Sequence, residues 1–365
     1  VKILKERLVK EFGGDDSLIM VAATHTHSGP NTGLSRCVGE PCSPEYLSML
    51  IDSTIQVTRS AWNGASQVTS LKGFIDPTFE GIGFNRVLPD VGPVDSSLRG
   101  IVFYREGYRP LALINYACHP VVLGCNKEIA ADYPGAVVAA MDEAGYDAIF
   151  LNGFCGDIDP LSNRTKWGSG TYNTIREYGR RIAQATISGL SDGSDLGFKS
   201  VDIKGISTKV SVPLEVFDDV YLLNFLKEAR EGLTKEGANS VFRAKEEWAV
   251  LMLDQVRSGE LKENEDIEIA AIRIGDLFMV GLPGEVYTQI GMMIRRAYPH
   301  RNIFTLGNTN GSIGYIPTND DIERKGYGGY SSSWVYDRQP FLPGVAERLV
   351  DETVQLLTQL GAGYR

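Results

Sequence analysis

Short apolar runs rich in Val, Ile, Phe and Tyr alternate along the chain with longer stretches in which apolar residues recur at helical spacing. That alternation predicts a mixed α/β fold, not a bundle or a sandwich. Val1, Leu4, Leu8 and Phe12 fall on one face of an opening amphipathic helix. Ser17 to Ala23 reads as a buried strand running straight into Thr24-His25-Thr26-His27-Ser28-Gly29-Pro30, and Pro44 to Trp62 reads as a helix. Leu98 to Arg105 and Pro110 to Ala117 form a hairpin turning at Glu106-Gly107, its second arm ending at Cys118-His119-Pro120. A helix from Asp132 to Ala144, a strand from Ala148 to Leu151, a loop from Asn152 to Pro160 and a helix from Thr171 to Leu190 follow. Strands near Val201 to Val212 and Ile267 to Gly281 enclose a charged helical insert, Val216 to Arg257, whose even polarity reads as a solvated face. Gly284-Glu285 opens a helix through Arg296, Asn302 to Leu306 is a last strand before the loop holding Tyr315, and Gly344 to Leu360 is a closing helix.

Composition narrows the classes of function. The 365 residues are 43% hydrophobic and 22% charged, enough apolar material for a large core without metals or disulfides as staples. No Pro/Ser-rich linker, low-complexity run or repeat marks a boundary, so the chain reads as one catalytic unit over residues 1–365, with a helical insert at about 214–262. The net charge of -10 and the lack of a Lys/Arg cluster exclude a nucleic-acid partner, and no apolar run approaches the roughly 20 residues that span a bilayer. Cys37 and Cys42 flank a short Gly/Pro-containing loop and are a pair that would bridge in an oxidising compartment, with two free thiols as the alternative. The chain begins at Val1 without a Met, so any targeting segment or first strand lies outside the sequence read.

The chemistry sits at predicted strand ends. Only four His occur in the chain, and three of them stand where a strand stops. In an extended segment residues i and i+2 point the same way, roughly 6.5–7 Å apart, so His25 and His27 face one region beyond the strand. One can ligate a metal while the other meets a substrate. A lone His would read as a capped loop residue; His-X-His with a further His before Pro120 favours zinc, which takes neutral imidazoles and a carboxylate and keeps one position open. Many carboxylates could complete such a set.

Six separated motifs then agree in order: His25-Thr26-His27-Ser28-Gly29-Pro30, Asn85-Arg86, His119-Pro120, Gly156-Asp157, Pro283-Gly284-Glu285 and Tyr315-Ile316-Pro317-Thr318. Together they resemble the catalytic domain of the neutral ceramidases over nearly the whole chain. The resemblance implies a zinc held by His25, His119, Glu285 and Tyr315, with His27 and Arg86 against the polar head or carbonyl of the substrate. A phenol is an unusual ligand, and it suits a labile position that opens as the reaction proceeds. Without the resemblance, Tyr315 would read as a loop aromatic over the core, and Glu285 as an acid favoured in the first turn of a helix.

The departures alter the expected chemistry. Ceramidases of the family carry Gly-Asp-Val-Ser-Pro where this chain has Gly156-Asp157-Ile158-Asp159-Pro160, so a serine acyl-enzyme at this position is excluded. Asp159 or Asp157 could act as general base, shuttle a proton to the leaving amine or hold a second cation; both are also residues that turns favour. The family's opening segment and its C-terminal immunoglobulin-like domain have no counterpart in these residues, which suggests a reduced member with altered grooves. Within Gly326-Tyr327-Gly328-Gly329-Tyr330, Tyr330 is carried over as a substrate-facing residue. The resemblance thus implies a zinc-dependent hydrolase of a lipid or small-molecule amide by metal-activated water. It allows peripheral membrane contact and favours a secreted or periplasmic location. A zinc-dependent esterase or deacetylase on a lipid or carbohydrate, and a silent metal-binding lipid or sugar recognition module, are the rival readings.

Overall fold

A computed structural model describes residues 1–32, 42–124, 126–195, 202–236 and 240–363. The pairing of Cys37 with Cys42 lies outside the described residues. The chain enters through α1 (Lys2–Phe12) and α2 (Pro44–Asn63), which share an apolar contact of Leu4, Leu8 and Ile55. Ser43 starts α2 by accepting the Tyr46 N–H, with Pro44 at the first helical position where no N–H is needed.

Two sheets follow. The first contains β1 (Val68–Asp76), β3 (Leu98–Arg105), β4 (Leu111–Tyr116), β5 (Asp147–Asn152) and β7 (Ser194–Asp195) in the order β5-β4-β3-β1-β7. The short β2 (Gly83–Asn85) pairs apart from it with β6 (Ile158–Pro160). The helices α3 (Asp132–Glu143) and α4 (Tyr172–Asp192) pack on this sheet through Tyr133, Val137, Met141 and Ile182. The second sheet runs β12-β10-β9-β8, from β8 (Ile203–Pro213), β9 (Asn264–Ile274), β10 (Leu277–Gly281) and β12 (Asn302–Leu306).

Strand alternation places the two sheets face to face. Leu71, Ile101, Leu277, Phe304 and Leu306 meet in one cluster between them. Their sequence neighbours point the other way: Val102 joins the cluster under α3 and α4, while Phe278 and Ile303 join α7 (Thr288–Arg296) and α10 (Val345–Gln359). The result is four layers, helices on sheet on sheet on helices, in keeping with the α/β expectation. The central strands are covered on both faces while β8 leaves Ser207, Lys209 and Ser211 exposed, and full burial of a side chain such as Phe278 or Phe304 contributes about 1.5–3 kcal/mol.

Four local expectations are corrected. Ser17 to Ala23 is not a buried strand: Asp16–Leu18 is a 3-10 turn, and a single bridge joins Ala22 to Thr309. The segment is held instead by the loop after β12, where Val21 N–H meets Asn310 Oδ1 and Ala23 N–H meets the Asn308 carbonyl. Ile267 to Gly281 is two strands, because Gly275 takes a left-handed φ of 59° and turns β9 back antiparallel on β10. The helix expected at Glu285 begins three residues later. Glu285–Val286 is β11, paired in parallel with β13 (Tyr315–Ile316), since Glu285 N–H bonds the Gly314 carbonyl and Tyr287 N–H that of Ile316.

The insert is the fourth correction. Its helices α5 (Asp219–Glu236) and α6 (Ser240–Ser258) are not solvated all round. They bury a stripe of Leu222, Leu226, Trp248, Met252 and Leu253, with Trp248 fully enclosed and its Nε1–H donated to the Arg338 carbonyl. The insert caps the hairpin of β8 and β9, which pair from Ile203↔Ile274 to Pro213↔Asn264. No helix among the described residues is long and apolar enough to cross a membrane.

Candidate metal centre

His25 and His27 come from the loop after the corrected segment. His25 sits at φ 69°, a left-handed conformation uncommon outside glycine, so strand alternation does not align the pair. Loop contacts do. Asn152 Nδ2 donates to the Thr24 carbonyl, Thr26 Oγ1 to that of Ala130, and Ala130 N–H to that of Ser28. The two rings meet edge to face with Nε2 atoms 3.3 Å apart.

His119 follows β4 and is wholly buried. Its backbone N–H and its Nδ1 both face the Ile158 carbonyl, at 2.9 and 3.2 Å. A carbonyl only accepts, so Nδ1 carries the proton and the Nε2 lone pair points away from it. That lone pair faces Glu285 Oε2 at 2.9 Å, and the same oxygen stands 3.4 Å from His25 Nε2. Glu285 and Tyr315 are register partners across β11 and β13, so two strands two residues long set the spacing of carboxylate and phenol. Gly156 passes under them: its N–H bonds the Val286 carbonyl, and a Cβ there would lie 2.3 Å from the Glu285 carbonyl oxygen.

The pair β2 and β6 supplies the rest. Asn85 gives Nδ2 hydrogens to Asp157 Oδ2 and the Pro93 carbonyl and accepts the N–H groups of Val87 and Leu88, which fixes the turn carrying Arg86. Arg86 then donates to the Tyr315 hydroxyl at 2.7 Å, the Gly156 carbonyl at 2.8 Å and Asp159 Oδ1 at 3.3 Å. Asp157 is bound by Asn85 and by the Thr288 N–H at the start of α7, and does not touch an imidazole. Asp159 lies behind His119, with Oδ1 4.0 Å from Nδ1.

Burial governs the charges. It pushes the His119 imidazolium down, Arg86 adding to the effect against Glu285; the His27 ring, open to solvent on one side but crowded by its neighbours on the other, is pushed down to about 3 by desolvation on that crowded side and by His25 and His119. Both rings are therefore neutral and keep a lone pair for a cation. Burial alone would raise Glu285, but its neighbours, His25 foremost, hold it well below the usual carboxylate range. Tyr315 and Tyr336 are pushed up by burial and then by the Glu285 charge, so both are protonated. Asp157 is pushed up to about 6 by burial.

The donors are of the kind and spacing that a small cation takes. Ligand atoms about 2.0–2.1 Å from a tetrahedral zinc stand roughly 3.3–3.4 Å from one another. His25 Nε2 lies 3.3 Å from His27 Nε2 and 3.4 Å from Glu285 Oε2, the His119–Glu285 spacing of 2.9 Å is tighter, and the ligand atoms of His25, His27 and His119 all lie within 4.8 Å.

The sequence matches no family model, and comparison with curated proteins finds no match. Comparison of structures does. The crystal structure of neutral ceramidase from Pseudomonas aeruginosa superposes with a TM-score of 0.68 at 18% identity, covering 98% of this chain and 64% of that one. A ceramidase complexed with C2 superposes with a TM-score of 0.69 at 17% identity, covering 98% and 65%. The chain has the neutral ceramidase fold. It spans a little under two thirds of the length of each matched protein.

Within that fold His25, His27, Arg86, His119, Glu285 and Tyr315 lie together, Asp159 stands behind His119, and Asp157 and Tyr330 stand off the imidazoles. Tyr330 does not join the imidazoles: its hydroxyl pairs with that of Tyr221 on α5, and its ring meets Trp334 at 6.1 Å. The turn Tyr327–Ser331 is π-helical, and it is Tyr327 whose ring meets Tyr315, at 5.4 Å. Tyr336, on α9 (Ser333–Tyr336), donates its hydroxyl to Glu285 Oε1. The half-exposed Trp167 stands edge to face with His27 at 6.5 Å. Tyr327, Tyr336 and Trp167 carry no motif, and only the crowding of aromatics between Tyr315 and Tyr336 was a signal in the sequence.

Proposed function

We propose that this chain is a zinc-dependent hydrolase of N-acyl amide bonds, acting as one catalytic unit, with His25, His119, Glu285 and Tyr315 holding the metal. The observation that carries this reading is His119. Its Nδ1 proton is committed to Ile158, its Nε2 lone pair is aimed at a buried carboxylate oxygen 2.9 Å away, and the ring is neutral. Two acceptors facing one another at that distance are an arrangement that a cation relieves, and a ring kept from protonation supports a metal ion there. The ceramidase fold supports the choice of an amide, since one neighbour is a neutral ceramidase and another a ceramidase complexed with C2.

Zinc, when bound, supplies Lewis acidity toward an acyl carbonyl and lowers the pKa of water toward about 7. The residues supply the rest. Arg86 keeps its charge well above neutral pH and is held from three sides, so its guanidinium offsets negative charge growing on the carbonyl oxygen. His27, exposed at the mouth beside Trp167, faces the acyl substrate even though its Nε2 is within reach of the same ion. Asp159 holds Arg86 from behind, and Asp157 caps α7 and orients Asn85.

The test combines metal analysis with turnover. Protein purified without chelator should contain about one zinc per chain. Release of free amine from N-acyl lipids or sugar amides should stop on chelation and return with zinc. Turnover indifferent to chelation, or release of acid only from O-acyl esters, overturns the reading. His27→Ala should keep zinc and lower turnover; loss of the metal instead would move His27 into the ligand set.

A further inference from the structure

We infer that Tyr336 is the positioning residue for Glu285, holding the carboxylate in the orientation that presents Oε2 to the metal; this rests on the reading of Glu285 as a ligand. Glu285 is only 3% exposed and both of its oxygens are engaged. Oε2 faces His119 and His25, while Oε1 accepts the Tyr336 hydroxyl. The terminal torsion of a Glu side chain is broad, so a carboxylate engaged only through Oε2 is free to turn about it. A phenol fixed on the other oxygen removes that freedom, as partners one step out from a metal do for its ligands.

The backbone around Tyr336 keeps that phenol fixed. Asp337 takes a left-handed φ of 54° immediately after it and ends α9. The Tyr336 ring lies against Gly314, where a Cβ would come within 3.1 Å of it, and meets the Tyr315 ring edge-on at 6.0 Å. One side chain therefore braces both strands of the two-residue pair: β11 through a hydrogen bond to its carboxylate, and β13 through ring packing. A phenylalanine would fill the same space and give the same ring contacts. The hydroxyl adds only the bond to Oε1, and it is this bond that the inference assigns to metal affinity.

Tyr336→Phe isolates it. Zinc dissociation constants for the native chain and the variant are measured by competition with a chromophoric chelator, and the absorption of the cobalt-substituted forms is recorded. The metal-free melting temperature serves as the check on folding. The variant should bind zinc about 10–100-fold more weakly and shift the cobalt spectrum. Tyr336→Leu, which loses the ring as well, should lower the melting temperature further without a comparable further loss of affinity. Equal zinc affinity in the native chain and Tyr336→Phe overturns the inference and leaves the proposed function standing. A native chain that takes up no zinc overturns both. If Tyr336→Phe does not fold, retention of native affinity by Tyr336→Leu, or by any folded variant without the hydroxyl, overturns the inference equally.

Discussion

The candidate metal centre and the helical insert are built in opposite ways. At the centre the residues arrive on six segments: His25 and His27 from the first loop, Arg86 after β2, His119 after β4, Glu285 on β11, Tyr315 on β13 and Tyr336 on α9. The pairings that align them are two or three residues long. The insert is one continuous stretch whose helices pack on each other through Leu222, Leu226, Trp248, Met252 and Leu253. The centre thus depends on the whole frame and the insert mainly on itself. They touch through the Tyr221 and Tyr330 hydroxyls and through Trp248 and the Arg338 carbonyl, on the segment that also carries Tyr327 and Tyr336.

Two substitutions probe that contrast where it is largest. His119→Ala removes a buried ring to which four segments converge. Zinc and turnover should fall together, by roughly a thousandfold or more, because the electrophilic contribution of a metal is several kcal/mol. Elemental analysis and amine release on one preparation check this, and retained zinc would break the comparison. Trp248→Ala should instead cost about 3–5 kcal/mol of stability, as truncation of a fully buried aromatic does. Urea denaturation reads the loss, while zinc affinity of the folded variant should stay within about tenfold of native. A larger fall in affinity would mean that the insert supports the centre through α9.

The same contrast explains what was legible in the sequence. Helices and central strands follow from local periodicity, and α2, β3, β4, α3 and α4 lie within a few residues of where it predicts them. The motif residues were visible because several short patterns agree in order, although none of them specifies distance. What failed was local pattern overruled by distant contacts. Ser17 to Ala23 has strand composition but finds only a loop to bond with, and Gly284-Glu285 looks like a helix start but is captured by Gly314 and Ile316. Tyr336 was invisible for the same reason. Its role exists only because α9 brings it to a residue 51 positions earlier in the chain.

A smaller effect comes from Asp132, which frames the turn after His119. Its carboxylate accepts the N–H groups of Val122 and Tyr133, and burial pushes it up to about 6 from 3.8. A carboxyl whose pKa is raised by folding binds more protons in the native than in the unfolded state between those values, so its contribution to stability falls as pH rises from about 4 to about 6. The difference of about 2.2 pH units corresponds to at most ~3 kcal/mol. Asp132→Asn does not titrate. Its stability relative to the native protein should therefore improve by up to that amount between pH 4 and pH 7, read as paired denaturant midpoints. A difference constant with pH would remove Asp132 from the account of the centre.

Asp159 gives the smallest and most discriminating effect. It occupies the position of the serine in the resembling family, yet its carboxylate lies on the Nδ1 side of His119, away from the Nε2 face that a metal and substrate would share. Its direct partner is Arg86 at 3.3 Å. A base must reach the proton that it takes, within about 2.6–3.2 Å or through one water, and a group behind the ring is badly placed for that. Asp159→Asn keeps the shape and a carbonyl oxygen for Arg86 but loses the charge, so turnover should fall about tenfold, equivalent to about 1.4 kcal/mol, with the pH profile unmoved. Loss of the acidic limb of that profile would instead make Asp159 the base. Intact-protein mass spectra during turnover should contain no acyl adduct in the native protein or in Asp159→Asn. If Asp159→Ser gains rate and a trapped adduct, a side-chain nucleophile operates at this position and direct attack by water is wrong.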